Sequence, residues 1–379
     1  MKLIYISQGN IPSKWAHTFQ AMKMAEAFGT VCRDFELVTQ IHPSLISRKR
    51  FDFNKWYGVR NNFKIVQIPL EEAPFENIYD AVRYPKFDEA AADYAQSLRP
   101  SVIYTRSENA GRICVNNGLP TIIETHIEPS NGNFKRVLAV KNRDSLLGVV
   151  TISSVLREMY IRQGLGENKI LVWPDAVDVE AFNFEKDPNG LREKLGLRKD
   201  AFMATYCGHL YPNRGIRTIF ETAKLCPEVT FLIVGGWEKD VEKRIHEARK
   251  ISNVKFVGFV VNSDIAQYLK ASNILLLPYS RNCETAEWMS PLKLFEYMAS
   301  NRPIIASDLI SIRQHLENGR SCLFADPDDS QSMRECILTL KSDVKLARDL
   351  ARNAYKDVLP FTWIRRARDI LSTFSQDVF

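Results

Sequence analysis

The sequence predicts an α/β chain of two doubly wound, Rossmann-like domains facing each other across a cleft. Three observations predict it. Short apolar, β-rich runs alternate with amphipathic stretches nearly from end to end. At 379 residues the chain exceeds one ordinary core and suits two. The alternation breaks once, around Pro174–Asp200, and then resumes. The expected divisions are a first domain over 1–174, a second over 175–358, and a C-terminal helix over 359–379 packing back on the first.

The strands expected in the first half are Leu3–Ser7, Phe35–Thr39, Lys64–Ile68, Val102–Thr105, Thr121–Glu124, Val149–Ile152 and Ile170–Trp173. In the second half they are Phe202–Cys207, Thr230–Val234, Val254–Val257, Ile274–Leu277 and Pro303–Ala306. Several are apolar without alternation, the mark of parallel strands covered on both faces. Trp15–Phe28, Asp88–Leu98 and Ile216–Leu225 carry helical spacing between them. Asp187-Pro188-Asn189-Gly190 is a loop signal within the break. Thr362–Phe374, after Pro360, reads as a long amphipathic helix.

Composition excludes more than it selects. Hydrophobic content of 45% with 25% charge excludes wholesale disorder. No apolar run approaches the roughly 20 residues of a membrane-spanning helix, and the opening MKLIYISQGN reads as a strand rather than a signal peptide. A cytoplasmic protein is expected, associated with the inner face of the membrane. Seven scattered cysteines without a CxxC pair argue against a disulfide framework or a zinc site. A net charge of +6 and pI near 8.8 favour anionic partners. The interleaved basic and aromatic residues of Arg48–Tyr57 suit an anionic membrane surface, or a solvated loop with its rings turned inward.

The stretch from Met289 to Ala299 concentrates the chemistry. Ser290 followed by Pro291 predicts a helix start, the serine capping and the proline in the first turn. The apolar strand Ile274–Leu277 lies upstream, so the N–H groups of that helix would open at a binding edge. Lys293 in its first turn opposes the helix dipole unless a phosphate stands in front. Glu296, among Leu294, Phe295, Tyr297 and Met298, predicts a carboxylate on a helix buried nearly all round, partnered by vicinal ribose hydroxyls or by Lys293 or Arg302. A second stretch, Tyr206 to Gly215, runs from a strand through Gly208 into a helix. Gly208 permits close backbone approach, and Arg214 supplies a fork suited to phosphate. Together the two stretches form a clamp on a diphosphate.

These residues resemble family 4 of the retaining glycosyltransferases, with the GT-B fold, over nearly the whole chain. Other shared stretches are Asp175-Ala176-Val177-Asp178 before Phe182, Val254 to Phe259, Ser300 to Asp308 and Asn318 to Phe324. The resemblance implies that Arg214 and Lys293 contact the donor diphosphate and Glu296 holds the ribose. It further implies that the backbone at Gly258 and Phe259 meets the base and that His126 lies beside the transferred sugar. Met289, Ser290, Pro291, Leu292, Gly208 and His209 would line the donor. Ser7–Lys14, with Gly9, Asn10 and Lys14, would be the loop near the diphosphate. Arg106, just past the strand Val102–Thr105, is read from its position either as reaching the cleft or as part of a structural ion pair. Three departures stand out. Trp288 stands where the family has its first glutamate, with Glu284 and Glu287 off register; His209 replaces an arginine; and Gly9-Asn10 replaces a Gly-Gly pair.

The chemistry so implied is retention of anomeric configuration without a protein nucleophile. Cations and helix N–H groups would stabilise the leaving diphosphate, and His126 would position or polarise the sugar. No Asp-x-Asp motif is read as demanding a metal, and no cofactor is expected beyond a nucleoside-diphosphate sugar as co-substrate. The acceptor would be a glycan or lipid-linked glycan in polysaccharide assembly. The alternatives are a nucleotide-sugar epimerase of the same fold and a non-catalytic sugar-nucleotide-binding protein. Val234-Gly235-Gly236-Trp237 fails the dinucleotide fingerprint, and no nucleic-acid-binding module is recognised.

Overall fold

A computed structural model describes residues 1–41, 51–69, 85–128, 134–184 and 187–375. The chain divides into two compact units, one of Met1–Asp175 with Trp363–Phe379, the other of Ala176–Thr362.

The first unit is built on β1 (Lys2–Asn10), β2 (Asp34–Ile41), β3 (Lys64–Pro69), β4 (Val102–Thr105), β5 (Thr121–Thr125), β6 (Leu146–Thr151) and β7 (Ile170–Val172). Its helices are α1 (Ala16–Val31), α2 (Phe53–Tyr57), α3 (Pro85–Leu98), α4 (Glu108–Asn116), α5 (Phe134–Leu138) and α6 (Ser154–Arg162). The sheet is parallel in the order β3-β2-β1-β4-β5-β6-β7. Ile4, Ile6, Val38 and Ile103 pack beneath Ala91, Ala92 and Ala95 of α3 and Ala110 and Cys114 of α4. The order reverses between β1 and β4, so their carboxyl ends flank a topological switch point.

The second unit carries α7 (Pro188–Lys194), β8 (Phe202–Cys207), α8 (Ile216–Leu225), β9 (Val229–Val234), α9 (Glu238–Glu247), β10 (Val254–Gly258), α10 (Asn262–Ala271), β11 (Ile274–Leu277), α11 (Leu292–Ala299), β12 (Ile304–Ser307), α12 (Ile310–Arg313), β13 (Leu323–Ala325), α13 (Ser330–Ser342) and α14 (Val344–Val358). Its parallel sheet runs β10-β9-β8-β11-β12-β13, reversing between β8 and β11. Leu275 and Leu277 pack against α11, whereas Ile274 and Leu276 face the core of α8 and α13. Both faces are covered, as unalternating apolar strands require.

Val177 N–H donates to Phe361 O at 2.9 Å and pairs with Thr362, so the chain enters and leaves the second unit side by side. The last helix, α15 (Trp363–Phe374), then rejoins the first unit and packs on α1 and β6. A side chain at Gly148 of β6 would lie 2.1 Å from the Phe374 ring, so the glycine seats the helix. The observed boundaries, 175/176 and 362/363, differ from the expected 174/175 and 358/359. The carboxyl of Asp175 is buried with the charges of the first unit, and Leu359–Thr362 remain with the second.

Several expected elements shift for local reasons. β1 runs through Gly9 and Asn10 instead of ending at Ser7, because Asn10 still pairs with Gln40 of β2 beyond an irregularity. The short edge strand β13, Leu323–Ala325, is absent from the expected set. In the basic–aromatic segment, Arg48, Lys49 and Arg50 lie outside the described residues. Of the remainder, Tyr57 is buried and bonds the Ser13 N–H and C=O, and the Trp56 indole donates to Ser13 O at 3.1 Å. These two rings are turned inward, bracing the loop after β1.

Candidate diphosphate site and buried histidine network

In the second unit the loops singled out from sequence are those at the switch point. β8 ends at Cys207, with Gly208 next, while β11 ends at Leu277 and leads through Pro278 toward α11. Lys293 lies across this edge. Its Nζ stands 4.1 Å from the centre of the Tyr206 ring and 4.7 Å from that of Tyr279. A Cβ on Gly208, whose φ is +145°, would come within 3.2 Å of the same nitrogen. Arg214 comes from the opposite loop, its guanidinium carbon 4.9 Å from the Tyr279 ring centre. Tyr279 therefore lies under both cations. Ring faces attract cations yet accept no ion-pair charge, and burial together with the Arg214 guanidinium pulls Lys293 down to about 7.

Gly215 closes the Arg214 loop and starts α8 with φ +77°; a Cβ there would sit 1.6 Å from Pro278 O. The position therefore holds the two loops in contact. Gly215→Ala should destabilise the second unit by more than about 2 kcal/mol, from left-handed strain plus displaced backbone. Chemical denaturation checks this, and a wild-type midpoint would show that the loops part without cost.

The start of α11 departs from expectation. Pro291, not Ser290, occupies the cap position, extended at φ −78° and ψ 123°, and the helix opens at Leu292 without a side-chain cap. Because Pro291 stays extended, helical backbone appears one residue later than the serine–proline pair suggests. The helix is also not buried all round. Lys293 and Glu296 share a partly exposed stripe, while Leu294, Phe295, Tyr297 and Met298 are buried. Met289 and Ser290 are buried ahead of it. Trp288, in the place of the resembled glutamate, is buried too, and its indole N–H has no hydrogen-bond partner.

His209 lies stacked with Tyr211 at 5.0 Å and with Trp237 at 5.5 Å, just past β8. Gly258 ends β10 with φ +82°, its O accepting from Gly235 N–H at 2.7 Å, and Phe259 follows half-buried. Asp326-Pro327-Asp328 does have Asp-x-Asp spacing. Asp328, however, accepts from Ser280 Oγ at 3.0 Å and from Arg281 N–H at 3.1 Å, serving the loop. Among the described residues no group of three or more His, Cys, Asp or Glu could hold a metal ion.

In the first unit the expected residues divide. Gly9 is buried, and a Cβ on it would meet Thr18 Cγ2 at 2.4 Å, so its missing side chain makes room for the start of α1. Asn10 is buried, and Lys14 is half-buried. Arg106, just past β4, and His126, just past β5, belong to one polar network. Arg106 donates to Gln20 Oε1 at 2.9 Å and meets His126 Nδ1 at 3.0 Å. His126 Nε2 meets Glu124 Oε1 at 2.5 Å, and Gln20 Nε2 donates to that oxygen at 2.7 Å. Glu124 Oε2 takes the Arg366 guanidinium at 3.0 Å, both residues fully buried. Burial raises the Glu124 carboxyl, but Arg366 and His126 outweigh it and hold it down at about 2. Burial, then Arg106, lowers His126 to about 4. Both ring nitrogens of His126 are thus engaged within the protein.

Sequence reasoning missed Arg366, Glu124 and Gln20, as well as the two tyrosines beneath the cations. A signal existed for one member of the charged pair: Arg366 falls on the buried stripe of Trp363, Ala367, Ile370 and Leu371.

Residues 201–343 match the family model described as "Glycosyl transferases group 1". A UDP-Gal:alpha-D-GlcNAc-diphosphoundecaprenol alpha-1,3-galactosyltransferase of Escherichia coli is 29% identical over 46% of this chain and 42% of its own length. An N,N'-diacetylbacillosaminyl-diphospho-undecaprenol alpha-1,3-N-acetylgalactosaminyltransferase of Campylobacter jejuni is 23% identical over 62% of this chain and 55% of its own. The chain thus spans about half the length of the curated relatives it matches. Among solved structures, Anabaena HepE in complex with UDP superposes with a TM-score of 0.77 at 17% identity, covering 99% of this chain and all of that one. A sucrose-phosphate synthase from Thermosynechococcus elongatus gives 0.76 at 18% identity, covering 99% of each. The chain has the GT-B fold of these proteins, and its residues 201–343 match the family model of the group 1 glycosyl transferases.

Proposed function

We propose that the protein transfers a sugar, with retention of configuration, from a nucleoside-diphosphate sugar to a hydroxyl of a glycan or lipid-linked glycan. The observation that carries this reading is the pair of cations at the β8/β11 switch point. Arg214 and Lys293 flank one tyrosine beside Gly208, at the edge where doubly wound sheets bind ligands. A departing diphosphate gains negative charge, and fixed cations lower that barrier because they need no reorganisation as the reaction proceeds. On this reading Arg214 and Lys293 supply the countercharge without a divalent ion, Glu296 holds the ribose, and Gly258 and Phe259 meet the base.

Uridine as the base is supported by the complex of HepE with UDP and by the UDP-Gal-dependent relative. A lipid-linked acceptor is supported by the diphosphoundecaprenol relatives. Since the acceptor of those relatives is lipid-borne, we place this protein's work at the cytoplasmic face of a membrane; no helix among the described residues is long and apolar enough to cross one. An epimerase needs a side chain free to move a proton at the sugar, and His126, with both nitrogens engaged, does not offer one.

A ligand that binds only the folded state must raise its stability. UDP should therefore raise the melting temperature, ahead of ADP, GDP and CDP, and Glu296→Ala should erase the preference for UDP over deoxy-UDP. No shift with any nucleoside diphosphate would remove the donor site from the second unit.

A further inference from the structure

We propose that Arg366, Glu124 and Arg106 are positioning residues that lock His126 as a neutral imidazole protonated on Nε2, so that it orients the transferred sugar without moving a proton. The claim rests on the reading that His126 lies beside that sugar. The tautomer itself rests on hydrogen-bond chemistry alone. A guanidinium can only donate, so the Arg106 group 3.0 Å from Nδ1 requires that nitrogen to accept. The ring proton must then sit on Nε2, where it donates to Glu124 Oε1 at 2.5 Å. Charging the ring would set an N–H against the Arg106 N–H groups.

Every element packed around the imidazole contributes to this outcome. Arg106 comes from the end of β4, Glu124 from β5, Gln20 from α1, Arg366 from α15 and Asp175 from the last residue of the unit's long segment. Tyr5 of β1 lies within the same field. Arg366 is itself fixed by four more acceptors: Pro174 O at 3.0 Å, Trp173 O at 3.4 Å, Tyr104 Oη at 3.3 Å and Met24 Sδ at 3.2 Å. A fully buried guanidinium is tolerated only when so completely engaged. The C-terminal helix therefore delivers a charge that keeps Glu124 ionised, and Glu124 in turn keeps the His126 ring oriented. The lowering of His126 to about 4 agrees with that geometry.

The wild-type chain, labelled with 15N histidine, tests the tautomer without any variant. The His126 signal, assigned by its loss in His126→Gln, should show a protonated Nε2 and an unprotonated Nδ1. It should not titrate between about pH 5.5 and 8. Titration in that window, or a proton on Nδ1, overturns the proposal. The positioning claim is tested by release of UDP from UDP-glucose. Glu124→Gln, which keeps shape and the acceptor oxygen, should lower kcat about tenfold or more with KM little changed. Arg366→Lys, which keeps charge but not the fork, should fall between it and wild type. Full kcat in Glu124→Gln alongside an inactive His126→Ala overturns the positioning role. Full activity in His126→Ala itself strikes the reading beneath it, and the spectrum still decides the tautomer.

Discussion

Lys293→Met should cut donor turnover by about 100-fold or more, the usual loss when one preorganised charge-stabilising group is removed. It should also erase the UDP thermal shift. Methionine keeps the aliphatic stem over Tyr206 and Tyr279, so the fold should survive and the loss can be assigned to the charge. The wild-type ammonium, at about 7 instead of 10.5, gives a sharper test. The groups facing it are Arg214, which opposes its charge, and Cys207, Cys283 and Glu296, which favour it less strongly than burial disfavours it. A bound diphosphate would restore the proton. Affinity for UDP-glucose should therefore be flat below about pH 7 and fall about tenfold per unit above it, with proton uptake visible as a buffer-dependent binding enthalpy. Folding stability should move the other way. The unfolded chain holds this proton up to 10.5, so stability gains as pH rises from about 7 toward that value. Affinity that stays level to about pH 9 would falsify the electrostatic role of Lys293.

The contrast between the two units shows what a sequence can and cannot carry. The switch-point loops of the second unit are legible because Gly208, Arg214, Gly215 and Lys293 sit at fixed offsets from apolar strands, and strand offsets translate directly into sheet edges. What supports those residues is not legible. Tyr206 and Tyr279 read as ordinary strand and loop aromatics, and only coordinates show that both lie beneath one ammonium. In the first unit less is legible. A side chain at Gly9, in the loop that the resemblance puts near the diphosphate, would meet Thr18 and His17 of the following helix. A glycine reports close approach without saying what approaches. The network around His126 draws on positions 20, 106, 124, 126, 175 and 366, and no local pattern links residue 366 to residue 124. Their pairing is a property of the fold.

That pairing predicts the largest stability effect in the first unit. Arg366→Met leaves Glu124 fully buried without its countercharge, and breaking such a pair costs about 3–5 kcal/mol. The double variant Glu124→Gln/Arg366→Met should recover most of this, to within about 1–2 kcal/mol of wild type. The amide oxygen at position 124 can still accept from Gln20 and His126, and no uncompensated charge remains. Chemical denaturation followed by tryptophan emission, in a background where Trp237 and Trp288 of the second unit are replaced by phenylalanine, reads the first unit. Because Glu124 is held near 2 against an unfolded value of 4.5, its contribution is complete above 4.5 and lost as pH falls toward 2. Asp175, raised by burial from 3.8 to about 7, works against it between those values, so the acid limb of Glu124 is clearest below about pH 4. The double variant should lose that limb together with the charge. If the double variant is as unstable as Arg366→Met, the pair is not the source of the cost. If it regains stability but not turnover, the guanidinium and carboxylate serve the histidine rather than the fold, because a neutral core can replace their contribution to stability but not the fixed orientation they impose on His126.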